Sequence, residues 1–186
     1  MNLVLGFAPF ILFAVFTRLS ADLALWIAFA AAFVVTIRDF VERPSLRLLD
    51  GGSLALFGGL ALWRGFVQPG LSLAAVRFAA DLGMLLILGQ SLIRRQPFSL
   101  QYASPRTGQK NWPPPLFLRA NFMISAVWIA AFAVMTVADA AVTFDAELPL
   151  YAAVATGLAA LAVATLFTLR YPAYAAARLS SAQTPE

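Results

Sequence analysis

Long stretches of this chain carry no charge, and that feature limits its folding options more than any other. Neither 120–138 nor 148–169 contains a charged side chain. About 20 such residues in a helix cross the ~30 Å hydrocarbon core of a bilayer. Six apolar runs can be read as spans, at about 2–16, 21–37, 51–67, 71–93, 117–142 and 148–169. The runs are continuous and do not alternate with polar positions, so they predict helices and not the strands of a membrane β-barrel. Apolar residues make up 61% of the chain and charged residues 12%, with a mean hydropathy of +0.81. So few charges could not cover a water-soluble surface of this size. The expected fold is all-α, a polytopic transmembrane helical bundle forming a single membrane domain over 1–186.

The first run lacks a basic segment ahead of it and a small-x-small cleavage site behind it, so it reads as a retained helix. Orientation follows from the basic residues. Arg38, Arg43 and Arg47 lie between the second and third runs. Arg94, Arg95, Arg106, Lys110 and Arg119 lie between the fourth and fifth, and Arg170 and Arg178 follow the sixth. These are ten of the thirteen Lys and Arg residues, and alternating spans put all ten on one side. The short loop after the fifth run carries Asp145 and Glu147 with no base. Both termini are therefore expected on the cytoplasmic side, with a polar cytoplasmic loop at 96–116 and a cytoplasmic tail at 173–186.

Each pair of runs ends in a basic residue followed shortly by proline: Arg38 and Pro44, Arg94-Arg95 and Pro97, Arg170 and Pro172. Three hairpins in series fit this pattern, although boundary chemistry alone produces the same stops. The segment Trp112-Pro113-Pro114-Pro115 favours an extended spacer, or alternatively a ligand for an aromatic-lined groove.

Small residues recur every fourth position in three runs: Ala24, Ala28, Ala32 and Thr36; Ala75, Ala79 and Gly83; Ala152, Thr156, Ala160, Ala164 and Thr168. In lipid, helices associate where small residues let backbones approach, so these ladders are expected to face protein. The fifth run carries a stripe of Asn121, Ser125, Trp128, Phe132 and Asp139 near one face. It faces either the bundle interior or a substrate path.

An ionisable group inside a membrane helix is costly, and so it marks a candidate site. Asp81 is the foremost, with Arg77 four residues earlier as its natural helical neighbour. The pair is read as structural, or else as a gate for a proton or anion. Asp81 lies near the midplane if its helix starts by Gly70, and near the outer interface if it starts by Val76. Gln90 sits on the opposite side of the helix from Asp81, which argues against a simple pore. Arg64, beside Trp63, reads as an interface anchor. Arg64, Arg77 and Asp139 are expected to lie at one level and could cluster. The candidate polar site is thus Arg77, Asp81, Arg64, Asn121 and Asp139.

The chain has no Cys and no His. Haem ligation by those residues, iron–sulfur clusters, thiolate or imidazole metal sites and Cys or His nucleophiles are excluded. No phosphate loop, GxSxG or HExxH occurs. No catalytic, cofactor-binding or metal-binding residue is assigned, and an enzyme is not expected. A net charge of +4 with most bases between the apolar runs does not suggest nucleic acid. The expected partners are the lipid bilayer and a membrane-protein partner or a second copy of the chain.

Phe57-Gly58-Gly59-Leu60, Gly89-Gln90-Ser91-Leu92-Ile93 before Arg94-Arg95-Gln96-Pro97-Phe98, the block Phe98–Ala103 and the stretch from Asn121 to Trp128 together resemble the bacterial intracellular septation protein A family and related uncharacterised inner-membrane proteins. The resemblance covers roughly the third to fifth runs. It implies an inner-membrane location and a structural or assembly role in the cell envelope or division, without catalytic residues to carry over. A small transporter or channel subunit using Arg77 and Asp81 is the alternative, and a membrane-embedded enzyme comes third.

Overall fold

The computed structural model describes residues 2–42, 47–102, 114–145 and 147–182. Arg43, Pro44, Ala103, Arg106, Lys110, Trp112 and Pro113 lie outside the described residues. The described chain is helical, with no strand among those residues. Helices α1 (Asn2–Gly6), α2 (Ala8–Phe16), α3 (Ala21–Glu42), α4 (Leu48–Leu62), α5 (Leu73–Ile93), α6 (Pro114–Phe144) and α7 (Leu150–Ala182) follow in order. A π-helical turn, Trp63–Val67, extends α4, and a 3-10 turn, Phe98–Gln101, follows α5. From α2 onward, each helix packs against its neighbours in sequence, so the bundle is built serially.

Among the described residues, four helices, α3, α5, α6 and α7, are long and apolar enough to cross a membrane. Their length and composition fit an integral membrane protein. Much of their outer surface is apolar and open, as at Val41, Leu86, Val137 and Val163. Lipid tails tolerate such surface, whereas patches of this extent are rare on water-soluble monomers.

The remaining two runs depart from simple spans. The run 2–16 is broken at Phe7 into α1 and α2. Pro9 stands in the first turn of α2 and has no N–H to offer the Leu5 carbonyl, which interrupts the helical ladder. The run 51–67 begins earlier, at Leu48, and finishes as the π turn. At the other boundaries the helices outlast the apolar runs. α3 continues to Glu42, α6 starts at Pro114, and α7 passes through Pro172 to Ala182. The segment 173–182, expected as a tail, is thus helical. Thr168 loses the backbone donor that Pro172 lacks.

The core is aromatic. Phe7 stacks on Trp128 with centroids 3.6 Å apart and planes 5° from parallel. Phe10 meets Phe132 edge-on at 4.7 Å, and Phe13 meets Phe57 at 5.3 Å. Such pairs contribute about 0.5–1.5 kcal/mol each beyond simple burial. The short α1–α2 segment therefore fills the bundle's centre.

Helix pairs close through small residues. Ala24, Ala28 and Ala32 of α3 are buried, as the first ladder requires. A Cβ on Gly83 would fall 2.4 Å from Leu56 Cδ1, and one on Gly52 would fall 2.7 Å from Ile87 Cγ2, so α4 and α5 meet backbone to side chain. The α7 ladder behaves differently. Fourfold spacing drifts about 40° per step around a helix, so Ala164 is buried against α6 while Ala152 is exposed. Ala153, Gly157 and Leu161 take the inward face instead.

Candidate functional site

Two buried polar clusters lie toward opposite ends of the bundle, separated by the aromatic core. The first is built on α5 and α6. Ser72 caps α5 by accepting from Ala75 N at 3.2 Å, which sets the start of the helix between the two positions considered from sequence. Asp81 then lies eight residues inside, about 12 Å along a helix of about 31 Å. Arg77 does not turn to Asp81. Its Nε donates to Asp139 Oδ1 of α6 at 3.1 Å, with both side chains almost wholly buried. The carboxyl of Asp81 lies against that of Asp139, within hydrogen-bonding reach. Asp81 Oδ2 and Asp139 Oδ2 are both buried without a donor. On the α7 side, Gly157 faces the cluster, and a Cβ there would meet an Arg77 terminal nitrogen at 3.5 Å, an ordinary contact.

Of the residues expected to join Arg77 and Asp139, Arg64 does not. Its Nε donates to Asp22 Oδ1 of α3 at 2.6 Å, and a terminal nitrogen reaches the Leu71 carbonyl. Arg64 is half-buried and Asp22 exposed, so this pair ties the π turn to the start of α3 at the rim. Asp22 carries no signal in the sequence beyond its position at a helix start.

Asn121 belongs to the second cluster, at the far end of α6 from Asp139. The chain after α5 does not leave the bundle at once, as a polar loop from 96 would. Phe98, Ser99 and Tyr102 are buried. Ser99 Oγ donates to the backbone and side-chain oxygens of Asn121, at 2.9 and 3.0 Å, and Ser125 Oγ donates to Ser99 Oγ at 3.1 Å. Gln101 Oε1 accepts from Leu48 N at 2.7 Å, supplying the first turn of α4 with an acceptor. The Tyr102 hydroxyl donates to Asp50 Oδ1 at 2.9 Å. Burial, and then the neighbouring Asp50 carboxyl, push the Tyr102 phenol above its ordinary range, so it remains a donor. Arg47 pairs with Asp39 and places its guanidinium 4.8 Å from the centre of the Tyr102 ring.

Sequence reasoning missed Asp39, Arg47, Asp50 and Tyr102 as a unit. Arg47 reads in the sequence as part of the topology signal, and nothing local links residues 39 and 50 to residue 102. The α6 stripe does face inward throughout: Asn121, Ser125, Trp128, Phe132 and Asp139 are all buried. Trp128 Nε1 donates to Thr168 Oγ1 of α7 at 2.9 Å.

Chemically, the first cluster can hold a proton or an ion-pair balance away from water. The second fastens the connection after α5 to the start of α4. Fold and site together describe a small membrane-type helical bundle with charge buried inside it. No family model, curated protein or solved structure matches the chain.

Proposed function

We propose that the chain is a small multi-pass protein of a bacterial-type inner membrane, with a structural or assembly role in the cell envelope exerted through helix–helix contacts. One observation carries this reading. An apolar groove of about 480 Å³ runs between α6 and α7, lined by Val134, Thr156, Ala159, Ala160 and Val163 among others. Small side chains along such a groove let another helix approach closely, which is the main source of association in lipid. The core beneath it is filled by packed aromatic rings. The resemblance of Phe98–Ala103 and its surroundings to the septation family points the same way. In this reading six helices alternate as three hairpins with both termini cytoplasmic, and α1–α2 and α4 are the short members.

The test is association in membranes. Ala159→Leu and Ala160→Leu should abolish cross-linking to a partner or second copy, and with it rescue of a deletion strain, while the chain stays folded. Asp81→Asn should retain both. Transport is the second reading, favoured by the undonated carboxyl oxygens beside Arg77. It replaces the first if Asp81→Asn abolishes rescue and the groove variants do not.

A further inference from the structure

Arg77, Asp81 and Asp139 bring one positive and two potentially negative groups into a single dry place. All three residues are at most 3% exposed. Arg77 serves Asp139 Oδ1, and one oxygen of each carboxyl is left without a donor although the two carboxyls lie against each other. Two ionised carboxylates in contact repel strongly where water is absent, and one guanidinium offsets only one of them.

Among the described residues, the surroundings bring no further counter-charge. Arg77 and Asp139 are the charged groups acting on Asp81. On the π turn after α4, Arg64 is engaged with Asp22 and Leu71. The α7 side presents Gly157, and Tyr151, the ionisable residue of α7 nearest this end, is exposed.

Hydrogen bonding and charge balance then share one solution, a proton bonded to one carboxyl and donated to the free oxygen of the other. We propose that Asp81 and Asp139 hold a single shared proton against Arg77, which makes the cluster a proton-binding site inside the bundle. Asp81 is its protonated member and Asp139 the counterion of Arg77. The site is neutral when loaded and carries one net negative charge once the proton has passed to water. This inference goes beyond the assembly reading and does not depend on it, because the groove between α6 and α7 is a separate feature.

The experiment uses the full chain in lipid nanodiscs. Infrared spectra at neutral pH should show the C=O stretch of a buried, protonated carboxyl that shifts in D2O and is lost in Asp81→Asn. Asn resembles a protonated Asp in shape, so Asp81→Asn should keep the melting temperature of the parent chain. Asp139→Asn should lower it markedly by stranding Arg77, and Arg77→Gln added to Asp139→Asn should recover part of the loss. The proposal is overturned if the parent chain shows no such band, or if the band survives Asp81→Asn. It is also overturned if Asp81→Asn unfolds the chain or costs as much as Asp139→Asn.

Discussion

Gly52 and Gly59 lie two turns apart on α4 in opposite circumstances. A methyl group on Gly52 would press on Ile87 Cγ2, which sits directly on a branched Cβ and cannot swing aside without leaving its rotamer. A methyl group on Gly59 would meet nothing within 4 Å. Gly52→Ala should therefore cost about 1–3 kcal/mol of overpacking, less a small gain in helix propensity. Gly59→Ala should raise stability by about 0.5–1 kcal/mol. Thermal unfolding of the two variants in one detergent checks the contrast. Tyr102→Phe belongs to the same scale. It deletes the donor to Asp50 and should cost about 1–3 kcal/mol, since the carboxyl stays buried. A variant as stable as the parent chain would show that Asp50 finds another donor. The composition of these sites is plain in the sequence, but their pairing is not. Arg77 has Asp81 on its own helix and Asp139 on another, and only packing decides between them. Asp22, likewise, is an ordinary first-turn acid until α4 brings Arg64 beside it.

Among the elements, apolar length told most about α3, α5, α6 and α7, because a span of this kind is specified by hydropathy alone. It told least about the N-terminal run. Gly6, Phe7 and Pro9 are weak local signals, and the break matters because Phe7 inserts beneath Trp128. The end of α5 is similar. Gln96 N bonds Ser91 O at 2.9 Å and Arg95 N bonds Leu92 O at 2.9 Å, a tight reversal with Arg95 at φ 53°. Glycine is the usual occupant of that left-handed position. Arg95→Gly should thus stabilise the turn by up to ~1 kcal/mol, visible as slower hydrogen exchange across residues 96–102. Unchanged or faster exchange would mean that the arginine side chain offsets the backbone strain. The turn also shapes the connection from 96: reversing so sharply returns Phe98 and Ser99 to the bundle before the chain continues.

At the scale of the whole molecule, the proposed three-hairpin topology rests on the distribution of basic residues and on the serial packing of the helices. Because the chain has no natural cysteine, single cysteines at Lys110 and Asp145 can be labelled without background. They should react from opposite faces of the membrane, and labelling from the same face would overturn the three-hairpin arrangement. The long helices add a further consequence. α6 and α7 measure about 46 and 50 Å at helical rise, more than a bilayer core requires. They must tilt or project beyond the lipid.

The stack of Phe7 on Trp128 also has a bearing on biosynthesis. A ribosome delivers Phe7 well before Trp128, with α3, α4 and α5 made between them. Until then the ring faces of α1 and α2 have no native cover from α6. The nascent protein must shelter α1 and α2 in lipid or against the insertion machinery until α6 closes over them. Chains arrested before α6 should therefore be degraded quickly in cells, whereas chains arrested after α7 should be long-lived.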